Sequence, residues 1–204
     1  IQTVNNIPGY VEEFKTVFGT TPPTVDMVAQ AIAAFERTVV TTDSPFDRYT
    51  KGDETAMTCQ EQQGLEIFNG KGHCTACHWG PNFTDGRFHN IGVKPQDPNK
   101  PDLGRYEITK DAKDRGAFKT PTVRDAALRA PFLHDGSEKS LESLVELYNQ
   151  GGNTDDPNLD PLIVPLGLSQ DEKDALVAFM KHAMVSTNPE VANVKPIPQS
   201  ELPK

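Results

Sequence analysis

Apolar residues recur at intervals of three and four along four stretches of the chain, the spacing that places them on one face of an α-helix. The stretches are "TVDMVAQAIAAFERTVV", "TCQEQQGLEIFNG", "SEKSLESLVELYNQGG" and "SQDEKDALVAFMKHAM". Their apolar stripes include, in chain order, Val28, Ile32, Phe35, Val39, Leu141, Leu144, Val145, Tyr148, Leu176, Phe179, Met180 and Ala183. No stretch alternates apolar and polar residues as a half-buried strand does, so the pattern predicts an all-α fold.

Residues that begin and end helices stand at the borders of these stretches. The candidate N-caps are Thr24, with Asp26 in the first turn, and two capping-box pairs, Thr58 with Glu61 and Ser169 with Glu172. Gly70 and Gly151 follow the second and third stretches, at positions where a glycine commonly ends a helix. The helices are therefore predicted to have defined ends.

Long connectors separate the helical stretches. Residues 80–120 and 153–168 carry no periodicity of their own, which is unusual in a compact domain unless something organises the loops. The segment 186–204, "STNPEVANVKPIPQSELPK" from Ser186 onward, is rich in proline and is predicted to be extended and to pack on a neighbouring surface.

Composition and charge narrow the class of protein. The 204 residues suffice for one sizeable domain, but only 36% are hydrophobic, so a cofactor that adds apolar mass would help to form a core. The net charge of −9 argues against nucleic acid and suits a basic soluble partner. No apolar run reaches the length of a membrane span, and no signal peptide is evident; because the first residue is Ile1, a mature or trimmed product is expected.

Two cysteines three residues apart, with a histidine directly after the second, occur in "GKGHCTACHWGPNF". This Cys74-x-x-Cys77-His78 pattern is that of c-type haem attachment. On a short helical turn, two thioethers at this spacing hold neighbouring vinyl groups of one porphyrin, and the next residue offers its imidazole to the iron. A zinc site needs two further ligands and a thioredoxin-type dithiol needs a βαβ context, and the sequence provides neither. The motif predicts one covalent haem c with His78 as proximal ligand.

Covalent haem also indicates a compartment, because cytochrome c maturation in bacteria is periplasmic, and a chain with three cysteines is compatible with it. The third cysteine, Cys59, is expected to be a semi-buried residue at a helix start.

Spacing alone leaves the ligand on the opposite face of the haem open. The candidates are His89, His134, His182, the methionines and Tyr148. His73 adjoins the anchoring Cys74 and does not readily reach that face, Met180 suits core packing, and His182 and Met184 lie at a helix end. Tyr148 closes a helix just before Gly151, where its phenol could face a cofactor, although core packing is the simpler role.

Several separate stretches resemble one family, in that family's order. "GLEIFNGKGHCTACHWGPNFTDGRFHNIGV", "FKTPTVRDAALRAPFLHDGSEKSLESLVELYNQGG" and "PLGLSQDEKDALVAFM" resemble the C-terminal haem domain of bacterial di-haem cytochrome c peroxidases, which include the methylamine-utilisation di-haem enzyme. "IPGYVEEFKTVFG" and "AIAAFERTVVTTDSPFDRYTKGD" resemble the segment that joins the two haem domains. The resemblance implies a remnant of the N-terminal domain and joining segment over 1–55, a cytochrome c-like haem domain over 56–185, and a packing tail over 186–204.

The resemblance also implies roles for single residues. Cys74 and Cys77 would hold the electron-input haem, with His78 and Tyr148 as axial ligands; typical peroxidases have Met where Tyr148 stands, and the quinone-maturing enzyme has Tyr. Backbone carbonyls of Arg129 and Pro131 would contribute to a calcium site shared with the other domain. The remaining candidates around the cofactor are Trp79 at the haem edge, His134 and His89 on loops or a propionate, and Arg87, Arg105, Arg124 and Lys119 as propionate partners or surface charges.

One departure from the family pattern limits the expected function. The chain has a single haem motif, so the peroxide-reactive haem, the inter-haem Trp and the acid/base residues are expected in a missing N-terminal part or a separate piece. The expected function is the electron-input domain of a periplasmic di-haem peroxidase that takes electrons from a small c-type cytochrome or cupredoxin and delivers them to hydrogen peroxide. The alternatives are a two-haem enzyme that oxidatively modifies a protein substrate, which Tyr148 favours, a mono-haem electron carrier, and a sensory haem module. A homodimer is compatible with each.

Overall fold

Eight α-helices supply most of the regular structure in a computed structural model of the chain, which describes residues 1–97, 99–152 and 155–187. They are α1 (Gln2–Asn5), α2 (Pro8–Phe18), α3 (Val25–Glu36), α4 (Pro45–Thr50), α5 (Cys59–Asn69), α6 (Tyr106–Thr109), α7 (Leu141–Gln150) and α8 (Gln170–Ala178). A π-helical turn, Phe179–Ala183, continues α8, and 3-10 turns span Cys74–Ala76, Ala112–Asp114 and Ala126–Leu128. The prediction of a mostly helical chain is confirmed.

The helix borders follow the predicted caps. Thr24 accepts a hydrogen bond from the amide of Met27 and is the N-cap of α3. Both predicted capping boxes form. The amide of Thr58 donates to the Glu61 carboxylate, and the amide of Ser169 donates to the Glu172 carboxylate, each at 2.7 Å. Two capping boxes were not predicted, Ser44 with Asp47 before α4 and Ser140 with Ser143 before α7. Local hydrogen bonding between side chain and backbone therefore sets where these helices begin.

The described residues divide into two compact units, the first formed by Ile1–Thr41. Within the first unit, α2 carries a stacked ring pair, Phe14 and Phe18, whose centroids lie 5.5 Å apart. The predicted stripe on α3 is not buried here, since Ile32 and Phe35 are 54% and 58% exposed. The periodicity correctly predicts the helix, but its apolar face is only partly covered within the described residues.

The second compact unit comprises Thr42–Thr187 and has its core where α5 crosses α8. Four aromatic rings meet edge to face in this core: Phe46, Phe68, Phe83 and Phe179, with centroid distances of 5.1–6.0 Å. The predicted stripes of α7 and α8 are largely buried in it, and Met180 is a core residue as expected. This unit also includes α4, which packs Phe46 against the core.

Two expectations about single residues are wrong. Cys59 begins α5 as predicted but is exposed, since it lies in the first turn of the helix, outside the buried residues of α5. Met184, expected in a polar helix end, is fully buried because the π-helical turn carries it under the core. A short antiparallel pair, β1 (Phe88–His89) with β2 (Phe118–Lys119), was not predicted, since two-residue strands give no alternating pattern. Residues 188–204 of the predicted tail lie outside the described residues.

No helix within the described ranges is long and apolar enough to cross a bilayer.

Replacement of Gly64 by Ala is expected to destabilise the second unit although alanine is the better helix former. A Cβ at Gly64 would lie 2.1 Å from the carbonyl oxygen of Ala175 and 2.7 Å from Cβ of Phe179, so α5 and α8 would have to move apart. Overpacking of this kind costs about 1–3 kcal/mol of unfolding free energy, measured by urea unfolding. Gln60→Ala, on the exposed side of α5, serves as control. Equal stability of both variants would contradict the close helix contact.

Candidate functional site

The two motif cysteines lie on a tight turn directly after α5. The 3-10 turn Cys74–Ala76 is closed by hydrogen bonds from the amides of Cys77 and His78 to the carbonyl of Cys74, at 3.3 and 2.8 Å. Gly72 precedes it at a point where a Cβ would lie 2.8 Å from the carbonyl oxygen of Ile67 and 3.3 Å from the Cys74 sulfur. The turn thus places both cysteines and the histidine on one short segment. Glycine is required at position 72 because a side chain there would clash with the Ile67 carbonyl.

Both motif thiols are protonated at neutral pH. Burial raises the pKa of Cys74 to about 12, and its thiol donates a hydrogen bond to the carbonyl of Gly72 at 3.3 Å. Burial, and then the nearby carboxylates of Asp85 and Asp160, raise the pKa of Cys77 to about 11. Such thiols are poor thiolate metal ligands, whereas a thioether carries no charge and suits the same surroundings.

His78 is held in the orientation that an axial ligand requires. Its Nδ1 donates a hydrogen bond to the carbonyl oxygen of Phe83 at 2.9 Å, which leaves Nε2 with its lone pair available. Burial lowers the pKa of His78, so the imidazole is neutral at neutral pH. The ring also lies near Phe68, with centroids 6.5 Å apart. The arrangement fits a proximal ligand to iron.

The carbonyl that orients His78 belongs to a residue with unusual backbone. Phe83 has φ of 49°, a left-handed conformation that bulky residues rarely adopt, while its ring is buried in the aromatic core. Arg124 supports this loop, because its Nε donates to the carbonyl of Pro81 at 2.6 Å and its guanidinium lies 5.5 Å from the Phe83 ring. Asp47 in turn holds Arg124 through two hydrogen bonds of 2.8 and 3.0 Å.

Tyr148, the candidate sixth ligand, lies in the last turn of α7 and is half-buried. Burial raises the pKa of its hydroxyl, and the neighbouring Cys74 and Cys77 raise it further. A half-buried phenol, two thiols and a neutral imidazole whose Nδ1 is engaged by a backbone carbonyl form a donor set that fits one c-type haem held by His78 and Tyr148.

A buried carboxylate–histidine–carboxylate group adjoins Cys77. His89 donates from Nδ1 to Asp160 at 2.6 Å and from Nε2 to Asp85 at 2.9 Å. The acceptor and donor atoms of Cys77, Asp85 and His89 all lie within 4.8 Å of one another. Because both ring nitrogens of His89 already serve carboxylates and Cys77 belongs to the attachment turn, the group is better described as an ion network than as a metal site.

The stability of the protein should depend on pH through the ion network of His89, Asp85 and Asp160. Burial opposes the charge on His89, but the hydrogen bonds to Asp160 and Asp85 outweigh it and raise the pKa of His89. Its contribution is then complete below the ordinary pKa of about 6.5 and is lost as the pH rises through the raised value.

We expect the free energy of unfolding of the haem-loaded protein to fall across this window, by up to about 1.4 kcal/mol per pH unit, and His89→Gln to abolish that slope. The measurement is urea unfolding at a series of pH values. His182→Gln, at an exposed histidine, should retain the slope; an unchanged slope in His89→Gln would show that the network does not hold the proton.

The other predicted residues take separate positions. Trp79 follows His78 and is 57% exposed, and His134 is exposed and stacks on Phe118 with a centroid distance of 3.6 Å. The side chain of Arg129 donates to the carbonyls of Thr122 and Arg124. Contacts of Trp79 and His134 with a haem, and of the Arg129 and Pro131 carbonyls with calcium, remain predictions.

The cationic candidates for propionate contacts divide into two groups. Arg124 and Arg105 are engaged within the protein, Arg124 by Asp47 and Arg105 by Asp114 at 3.1 Å and by the Phe88 ring at 4.1 Å. Arg87 and Lys119 are exposed.

Sequence reasoning missed three features of the site. The hydrogen bond from His78 to the Phe83 carbonyl was missed because any residue has a backbone carbonyl, so the residue type does not reveal it. Asp85 stands four residues before His89, a spacing that could have suggested their pairing, but Asp160 is 71 residues from His89 and no pattern links them. His89 was expected to hydrogen-bond loops or a haem propionate, and it bonds Asp160 in the connector 155–168.

Comparison with known proteins also indicates a haem protein. A family model described as "Di-haem cytochrome c peroxidase" matches residues 1–55. The chain is 36% identical to cytochrome-c peroxidase IdrP1 of Denitromonas iodatirespirans, over 97% of this chain and 60% of that protein. It is 38% identical to methylamine utilization protein MauG of Methylorubrum extorquens, over 89% of this chain and 51% of that protein.

Among solved structures, a MauG-like protein associated with microbial copper homeostasis matches with a TM-score of 0.74 and 30% identity, over 89% of this chain and 61% of that one. The diheme peroxidase BthA of Burkholderia thailandensis matches with a TM-score of 0.60 and 23% identity, over 71% of this chain and 46% of that one, which supports the fold. The chain spans about half the length of the curated relatives it matches. On these similarities, the chain belongs to the di-haem cytochrome c peroxidase family, which includes MauG.

Proposed function

We propose that this chain is the electron-input haem domain of a periplasmic di-haem cytochrome c peroxidase-type oxidoreductase. One haem c would be attached through Cys74 and Cys77 and held axially by His78 and Tyr148. The observation that carries the proposal is the hydrogen bond from His78 Nδ1 to Phe83, because it leaves Nε2 free beside the two motif sulfurs. A second, peroxide-reducing haem would lie outside this chain, whose sequence holds one attachment motif.

The role of the protein is to position and tune a group that, once bound, supplies the one-electron chemistry. The strained Phe83 backbone and the Asp47–Arg124 pair fix His78, so little reorganisation of this ligand accompanies a change of charge. The aromatic core keeps water from the proximal side. Tyr148 would supply the second protein ligand, and an iron bound by two protein ligands would favour electron transfer over reaction with peroxide. An oxygen ligand also favours the ferric state relative to methionine.

The charge of the chain points to the kind of electron donor. A net charge of −9 produces a field that steers small basic proteins, and this fits a basic c-type cytochrome or cupredoxin better than an acidic one. Electrostatic steering raises the association rate more than the affinity, which suits a donor that must leave after each electron. A calcium ion held in part by the carbonyls of Arg129 and Pro131 remains part of the proposal.

The test is rapid mixing of the oxidised two-haem protein that contains this chain with a reduced basic c-type cytochrome, followed by addition of hydrogen peroxide. We expect a second-order phase of donor oxidation that slows as the salt concentration rises, and continued donor oxidation once peroxide is present. A small neutral reductant, whose rate should not depend on salt, is the control. Failure of the protein to oxidise the donor in the presence of peroxide would contradict the proposal.

A second candidate function is oxidative modification of a protein substrate. It is favoured by Tyr148 at a position where methionine is expected in typical peroxidases, and MauG is among the relatives. In the same experiment this function would appear as peroxide consumption without sustained donor oxidation. A mono-haem electron carrier would oxidise the donor once and would not respond to peroxide.

A further inference from the structure

The two sides of the candidate haem site come from segments that are far apart in the chain. The attachment turn, Cys74 to His78, follows α5, whereas Tyr148 lies at the end of α7. A segment that we call the return loop, residues 155–168, leads from α7 to α8. It binds the end of α7 through the amides of Leu166 and Leu168, which donate to the backbone and side-chain oxygens of Asn149 at 3.1 and 2.8 Å. The position of the return loop therefore bears on Tyr148.

His89 joins the return loop to the attachment side. Asp160 belongs to the return loop, and Asp85 is bonded to the attachment segment, since its amide donates to the carbonyl of Cys77 at 2.8 Å. The His89 ring lies between the two carboxylates, and the side chains of His89, Asp85 and Asp160 are only 13%, 3% and 18% exposed. These short hydrogen bonds between charged groups are the strong kind.

We propose that His89 is a positioning residue that, by bridging Asp85 and Asp160, keeps the return loop and hence the end of α7 at the distance at which Tyr148 serves as sixth ligand. The inference rests on the proposed haem ligation. His89 does not touch the reacting group itself; it acts through the loop that adjoins Asn149, the residue directly after Tyr148.

Electrostatics explains why the bridge must be a histidine with two donors. Asp85 and Asp160 both lie close enough to Cys77 to raise the pKa of its thiol, so two negative charges meet in a mostly buried space. Without a cation between them the two carboxylates would repel each other, and this repulsion would strain the contact between the return loop and the attachment segment. The imidazolium offers one N–H to each carboxylate, which a single-donor side chain cannot do.

Asn90, the residue directly after strand β1, supplies a second contact to the same loop. The carbonyl of Asn90 accepts the amide of Asp160 at 2.9 Å, and its side-chain amide donates to Asp156 at 3.0 Å. These bonds keep the loop folded when the His89 bridge is lost. Loss of the bridge should therefore loosen the ligand position without unfolding the protein.

The test compares haem-loaded wild-type protein with His89→Gln and Asp160→Asn. Asp160→Asn retains the oxygen that accepts the Leu162 amide at 2.9 Å and removes only the charge. His182→Gln is the matched control. The readouts are haem content, the high-spin fraction of the ferric absorption spectrum, and carbon monoxide binding by the reduced form.

We expect unchanged haem content in all variants and a rise of about tenfold in the fraction of iron open to carbon monoxide in His89→Gln, as loss of a charge-assisted hydrogen bond implies. Asp160→Asn should show a smaller rise and His182→Gln none. Wild-type spectra in both network variants would overturn the proposal, and so would loss of haem from both, because the network would then serve folding alone. Full carbon monoxide binding by the wild type would instead refute Tyr148 ligation and with it the proposed function.

Discussion

A chain in which Cys74 and Cys77 are both changed to serine is expected to carry no covalently bound haem, while Cys59→Ser carries the full amount. Both motif sulfurs lie on one tight turn beside His78, whereas Cys59 is exposed at the start of α5. A serine hydroxyl forms no thioether, so acid extraction should remove all haem from the double variant. The measurement is haem absorbance of the extracted polypeptide against its protein content.

The same double variant should also be less stable, because only the iron ligands His78 and Tyr148 would remain to retain the group and the low apolar content of the chain leaves a small core. Thermal unfolding followed by far-UV circular dichroism measures this loss, with Cys59→Ser as reference. Covalent haem that survives in the double variant, or that disappears from Cys59→Ser, would contradict the assignment of the attachment site.

Replacement of Tyr148 by methionine is expected to raise the reduction potential of the haem by on the order of 100 mV or more, since axial ligands shift haem potentials over about 0.8 V. A thioether stabilises the ferrous state better than a phenol oxygen does. Tyr148→Phe should instead leave the sixth position open, so that the reduced protein binds carbon monoxide. The measurements are a spectroelectrochemical titration and a carbon monoxide difference spectrum.

Tyr106→Phe is the matched control, because Tyr106 lies on the short helix α6 and contacts Lys110 and Arg115 rather than the motif cysteines. It should have the potential and the spectrum of the wild type. If the potential of Tyr148→Met equals that of the wild type, Tyr148 is a core residue near the haem and another group holds the sixth position.

Features that depend on a few neighbouring residues could be predicted from the sequence. The capping boxes at Thr58 and Ser169 and the Cys74-x-x-Cys77-His78 turn each occupy a handful of consecutive positions, and the structure reproduces them. Their hydrogen bonds form within one turn of chain, so tertiary packing has little opportunity to override them. The helical class followed from the same local periodicity.

Features that join distant segments could not be predicted. Asp47 and Arg124 are 77 residues apart, and Asp160 meets His89 across 71 residues, so no spacing links them. The Phe83 carbonyl belongs to the backbone, so the identity of the residue does not show that it accepts a hydrogen bond from His78. On α3, the apolar stripe was recognised, but periodicity does not reveal which surface covers it, and Ile32 and Phe35 are exposed. These long-range contacts orient His78 and connect the loops. The sequence therefore indicated which residues could bind a haem, but it did not indicate which contacts hold those residues in place.

The central claim is that one haem of a two-haem assembly is bound by this chain, and haem stoichiometry tests it most directly. The measurement combines the pyridine haemochrome absorbance of the purified native particle with the intact mass of every polypeptide in it. The account predicts two c-type haems per functional unit, one of them covalently bound to the segment containing Cys74 and Cys77. A particle with one haem and no second haem-bearing segment would contradict it and would leave a mono-haem electron carrier.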